Sequence, residues 1–120
     1  MCIAACAQHG LIHSDSTILL IAPSDSQVHE LLERTHAMIL KAGYGEEIKA
    51  KTKDKITFKN RSRIIALSGF YPHLLRGWSS PDLIVVDESA FFKSDDEIYA
   101  AISPMVAANP NARLLLISTA

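Results

Sequence analysis

The sequence predicts an α/β fold, a mostly parallel sheet flanked by helices and carrying a β-hairpin insertion. Three observations predict it. Three continuous apolar runs of strand length, Thr17 to Ile21, Leu83 to Asp87 and Leu114 to Ile117, lack the alternation of a half-exposed strand. Such runs suit strands covered on both faces. Helical patterns lie between them, as a parallel sheet requires. Residues 48 to 67 read as extended, with Ile56 and Phe58 alternating with Thr57 and Lys59.

In chain order, Met1 to His13 reads as an Ala-rich helix with no cap before it. Thr17 to Ile21 is the first strand. Ser24 is an N-cap, and Gln27 three residues later completes a capping-box pattern. Val28, Leu31, Leu32, Thr35, Met38, Ile39 and Ala42 recur at spacings of three and four and define one buried stripe of a helix. Glu30 and Arg34 stand one turn apart and can pair on its surface. Gly43 is placed to end it. Arg63 to Leu67 forms a second run after Ile56 and Phe58. Asn60-Arg61 offers a two-residue turn between them, but positive φ is disfavoured at Arg, which leaves room for a longer loop. After Leu83 to Asp87, Ser94 opens a second capped helix with Glu97 as partner, and Pro104 kinks or ends it. Asp95, Asp96 and Glu97 fall in the first turn, where the helix dipole favours acids. Asn109-Pro110-Asn111 is a turn into the strand Leu114 to Ile117.

The chain of 120 residues is of one-domain size, with 48% hydrophobic and 21% charged residues. No apolar run approaches the roughly 18 residues of a membrane span, so no membrane partner is expected. Met1 to Ala7 has no charged leader before its apolar part, unlike a secretory signal. Cys2 and Cys6 are too few for a disulfide framework and suit a reducing, cytoplasmic setting. Net charge is −1, but seven of the twelve basic residues fall between Lys49 and Arg63, opposed there by Asp54 alone. Lys49, Lys51, Lys53 and Lys55 are all odd-numbered and on one strand would share a face. That row suits either a solvated outer face or contact with DNA phosphates.

Asp87 and Glu88 are the first candidates for chemistry. An apolar strand ending in two acids places them at the carboxyl edge of a sheet, where α/β folds bind ligands. One carboxylate there can hold Mg²⁺, and its neighbour can orient and deprotonate a water for attack on a phosphate. A solvated acidic turn is the plainer reading of the pair alone. Ser118 and Thr119 follow another buried strand, where hydroxyls can bond a water or acid of a nucleotide site, or simply the local backbone. Cys2, Cys6, His9 and His13 fall near one another on a helical wheel. One straight helix cannot wrap them tetrahedrally round zinc, so a partly buried face is the better reading.

An acid-ended strand followed one helix later by a hydroxyl-ended strand resembles the Walker B and coupling motifs of helicase-like ATPases. Three further segments follow the order of the ATPase domain of phage terminase large subunits. These are Ile21-Ala22-Pro23-Ser24, then Ser62 to Leu67, then Arg76-Gly77-Trp78 leading through Pro81-Asp82 into Leu83 to Ala90. The chain resembles that family over nearly its whole length. The resemblance implies a P-loop NTPase-like core that uses ATP and Mg²⁺, with Asp87 binding the metal and Glu88 as catalytic base. It implies that Ser118 and Thr119 couple hydrolysis at the nucleotide to movement on double-stranded DNA. Arg76 is similar in placement to an arginine that some members insert into a neighbouring subunit's site, or else it is a loop residue bonded to nearby carbonyls. Partners would be DNA, the other terminase subunits, the portal and further copies in a ring, in the host cytoplasm.

The sequence departs from the family in one respect. A phosphate loop of the form G-x-x-x-x-G-K-S/T does not occur, since none of Gly10, Gly43, Gly45, Gly69 and Gly77 is followed by Lys-Ser or Lys-Thr. Met1 to His13 resembles the helix that follows that loop, and the family's nuclease domain has no counterpart. The expectation is a partial ATPase domain, inactive alone, with Leu114 to Ile117 left as an exposed apolar edge where a first strand would pair. A helicase or translocase ATPase of the same superfamily is the alternative. A non-catalytic prophage remnant acting at most as a binding module is another.

Overall fold

A computed structural model describes residues 14–68, 81–87, 103, 107 and 112–117, with the side chains of Asp87 and of residues 115–117 not described. Six strands form one sheet: β1 (Thr17–Ala22), β2 (Ile48–Lys51), β3 (Lys55–Phe58), β4 (Arg63–Ser68), β5 (Leu83–Asp87) and β6 (Arg113–Ile117). Helix α1 (Asp25–Lys41) follows β1, and a short 3-10 turn spans Gly45–Glu47. The strand order is β2-β3-β4-β1-β5-β6. β4, β1, β5 and β6 are parallel, whereas β2, β3 and β4 form an antiparallel meander. β4 therefore belongs to both halves. The expected hairpin is fused to the parallel sheet as its flank.

The first two apolar runs behave as their composition requires. Ile18, Leu20, Ala22, Leu83 and Val85 pack on one face with Ile56, Phe58, Ile64 and Ala66, against Val28, Leu31, Leu32 and Ile39 of α1. Leu19, Ile21, Ile84 and Val86, on the other face, are equally inaccessible to solvent. Burial on both faces is what removes the alternating pattern from these strands.

Helix α1 is capped at both ends by its own sequence. The Ser24 hydroxyl accepts from the Gln27 backbone N–H at 3.3 Å. The Gln27 side chain returns to the Ser24 hydroxyl, at 3.0 Å, where a full capping box would reach the Ser24 backbone. At the other end Gly43 takes φ +88°. Its N–H donates to the Leu40 carbonyl and the Tyr44 N–H to that of Ile39, the two bonds of a Schellman motif. The buried stripe comprises Val28, Leu31, Leu32, Thr35 and Ile39. Ala42 departs from expectation: it is the C-cap, and is exposed. Glu30 and Arg34 pair at 2.7 Å, as their spacing predicts.

The connection from β3 to β4 is the longer loop, residues 59–62. Arg61 does adopt positive φ, at 73°. Local bonds hold it there: its N–H donates to the Phe58 carbonyl, its guanidinium pairs with Asp15 at 2.9 Å, and the Ser62 N–H donates to Asn60 Oδ1.

The lysine row does not form as one face. β2 ends at Lys51, and a register shift between Ile48 and Ala50 interrupts its alternation. Lys51, opposite Ile56, turns to the α1 side and pairs with Glu33. Lys55 stands opposite Ile65 and alternates with Ile56 and Phe58, so it lies on the face away from α1. Lys53 sits in the turn between them.

Candidate functional site

The two edges of the parallel sheet differ. At the amino edge the chain closes on itself. The Ser16 N–H donates to Ser62 Oγ (3.1 Å) and the Arg63 N–H to the Ser16 carbonyl (2.9 Å). Thr17 and Asp82 are joined twice: Asp82 Oδ2 accepts from the Thr17 N–H at 2.9 Å, and the Asp82 N–H donates to the Thr17 carbonyl at 2.8 Å. The Arg113 N–H completes the line on the Asp82 carbonyl, at 3.1 Å. Four parallel strands are thus tied at their starts by short side chains and backbone.

At the carboxyl edge the strands end in polar residues. β1 runs out through Ala22 and Pro23 into the Ser24 cap of α1. The extended backbone of Ser24, φ −138° and ψ 163°, turns the chain there. β4 ends at Ser68, level with Ala22 and buried. β5 ends at Asp87, one residue beyond Val86, which is level with Ile21. Asp87 is in turn level with Ile117, the last residue of β6.

The chain leaves β1 to one side, towards β4, and takes up β5 and β6 on the other. Between β1 and β5 the winding therefore reverses. A crevice outside the carboxyl ends at such a reversal is where open α/β sheets bind ligands. Asp87 ends β5 at this carboxyl edge, between β1 and β6.

Of the sequence-predicted site residues, Asp87 is placed at this edge by its backbone. Glu88, Arg76, Ser118 and Thr119 lie outside the described residues. So do Cys2, Cys6, His9, His13 and the capped segment from Ser94. The pairing of Asp87 with Ile117 brings the strand that precedes Glu88 alongside the strand that precedes Ser118. Among the described residues there is no cluster of three or more metal-ligating side chains. No described helix is long and apolar enough to cross a membrane.

Two positions were not singled out from sequence. Ser68 is a buried hydroxyl ending an apolar run, the same signal that marked Ser118. Asp82 was read as part of the approach to β5, and its carboxylate proves to secure the start of β1.

The described sheet, mostly parallel with a helix packed on it, has a P-loop NTPase-like fold. Its particular form is that of phage large terminase ATPase domains. The ATPase domain of the large terminase of Thermus phage P74-26 superposes with a TM-score of 0.77 at 18% identity, covering 98% of this chain and 53% of that one. An arginine-to-alanine variant of the same domain superposes with a TM-score of 0.69 at 16% identity and the same coverage. The chain thus spans about half the length of the solved structures it matches. No protein-family model matches the chain, and no curated protein does.

Proposed function

We propose that this chain is part of the ATPase motor of a viral DNA-packaging terminase large subunit, which hydrolyses ATP to translocate double-stranded DNA. The observation that carries the reading is the position of Asp87. It ends an interior parallel strand at the carboxyl edge, beside the reversal in winding, in a sheet with the fold of a phage terminase ATPase domain.

The donor chemistry at Asp87 fits magnesium. Mg²⁺ is held by one or two carboxylates, with water and substrate phosphates completing its shell, so a single aspartate at the edge is enough protein ligand. Bound there, the ion supplies neutralisation of phosphate charge. Glu88 takes the proton of the attacking water. Ser118 and Thr119, following β6, bond to the nucleotide site and relay its state. Arg76 reaches the site of a neighbouring copy, where a guanidinium stabilises charge on the transferred phosphoryl group. Sites shared in this way favour a homo-oligomeric ring, working with the other terminase subunits and the portal in the host cytoplasm.

The 120 residues contain no phosphate loop. The phosphates would therefore be cradled by a segment outside them, and the chain alone should show no ATP turnover. Joined to such a loop, the protein should turn over ATP with magnesium, and Asp87→Asn should abolish that turnover. Magnesium-dependent turnover at the wild-type rate in Asp87→Asn would remove the metal assignment.

A further inference from the structure

The β2–β3 hairpin carries more positive charge than the fold uses. Two contacts fix it to α1: Lys51 pairs with Glu33, and His29 Nε2 meets Asp54 Oδ1 at 2.6 Å. A third bond, from the Ala66 N–H to the Asp54 carbonyl at 2.8 Å, ties its turn to β4. These contacts engage the one acid of the hairpin and one of its lysines. Lys49, Lys53 and Lys55 are exposed and have no ion pair among the described residues. Arg63, exposed opposite Thr57, lies on the same face as Lys55. Lys59 is also exposed, but its backbone is bonded to Glu47, so acids border that end.

Protection of a sheet edge accounts for part of this charge. β2 is the outermost strand, and lysines with a bulge are a usual way to block pairing with another chain. That reason covers Lys49 and Lys51. It does not cover Lys53, in the turn, or Lys55, on the second strand and facing away from the helix.

We infer that Lys49, Lys53 and Lys55 form a contact surface for the phosphate backbone of duplex DNA, with Arg63 beside them and Lys59 at its margin. The inference deepens the proposed function and rests on it for the identity of the polyanion. Residues 49 to 55, led round a turn, present three cations around one acid, Asp54, which is exposed but engaged with His29. Ammonium groups on flexible stems suit contact with phosphates and carry no base-reading geometry. Stacking on unpaired bases needs exposed aromatic rings, and the aromatic residue of the hairpin, Phe58, is buried. The surface therefore favours a duplex read without regard to sequence. The turn at Lys53 lies towards the carboxyl edge of the sheet, since β3 runs antiparallel to β4 and the Ala66 N–H, beyond the level of Lys55, bonds the Asp54 carbonyl. The contact surface thus shares an edge with Asp87.

The test is a salt titration of binding between the full chain and a short fluorescent duplex of mixed sequence. Lys49→Gln, Lys53→Gln and Lys55→Gln combined should weaken binding roughly tenfold or more and reduce the slope of log affinity against log salt by about three. The combined Lys→Arg variant should keep affinity and slope. If the triple variant does not fold, as judged by its thermal transition, Lys53→Gln with Lys55→Gln is read instead, and the slope should fall by about two. Unchanged affinity and slope in the folded Gln variant would overturn the inference. Equal affinity for single-stranded DNA of the same length would overturn its duplex assignment. Neither result bears on ATP turnover, which tests the proposed function separately. Conversely, a protein that binds duplex through these lysines without hydrolysing ATP would retain the surface and lose the motor.

Discussion

Asp82 shows how a single carboxylate can hold a fold while looking like part of a site. It stands five residues before Asp87 in an acid-flanked apolar strand, and sequence alone does not separate their work. The structure does: Asp82 lies at the amino edge and is engaged twice with Thr17, whereas Asp87 lies at the carboxyl edge. Removing the Asp82 carboxylate leaves the N–H that opens β1 without its acceptor, at a cost of about 1–3 kcal/mol. Asp82→Ala should therefore lower the urea midpoint of unfolding. Asp82→Asn, which keeps a carbonyl oxygen at that point, should lower it less. Equal midpoints for wild type and Asp82→Ala would deny the clamp any stabilising part.

At the scale of elements, helix α1 and the hairpin are held together by pairs that join residues distant in sequence. Lys51 donates to Glu33, and that hydrogen bond first, then the charge of Lys51 and of His36 and His29, holds the Glu33 carboxyl below the usual carboxylate range. Desolvation acts the other way, second only to that hydrogen bond. A carboxyl whose folded value is depressed adds stability above its unfolded value and loses it as pH falls through the folded one. Both side chains reach solvent, so the contribution is small and screened by salt. The melting temperature of Glu33→Gln should lie below that of wild type at neutral pH, with the gap closing as the solution is acidified through the carboxylate range. A gap independent of pH would show that the glutamate acts by packing alone.

The legibility of these elements follows the range of the forces that set them. The start, stop and buried stripe of α1 are local, and Ser24, Gly43 and the repeating apolar positions announce them. The placement of the lysines is not local. One register shift in β2, and the pull of Glu33 on Lys51, divide a row that even spacing would put on one face. Arg61 is similar: its positive φ is disfavoured by residue type, and is held by Asp15, which is distant in sequence and beside it in space.

Across the whole molecule, the parallel core could be read from uninterrupted apolar runs, because burial on both faces, as in β1 and β5, erases alternation. The order of the strands could not. Nothing in Arg63 to Ser68 shows that it pairs antiparallel to β3 and parallel to β1 at once, and so joins meander to core. β6 lies last in the sheet, with Leu114 exposed, and among the described residues no strand pairs beyond it. Candidate site residues were legible where an apolar strand ends in acids or hydroxyls. Asp87 then falls at the carboxyl edge because parallel strands end together.

Glu88, the next residue in the chain, is the proposed base. The most direct measurement is ATP turnover by the protein that joins this chain to a phosphate loop, comparing wild type with Glu88→Gln. The swap keeps size and hydrogen bonding while removing the group that accepts the proton. The account predicts that Glu88→Gln still binds ATP with magnesium but forms ADP at a rate lower by about 100-fold or more. Turnover at the wild-type rate in that variant would contradict it.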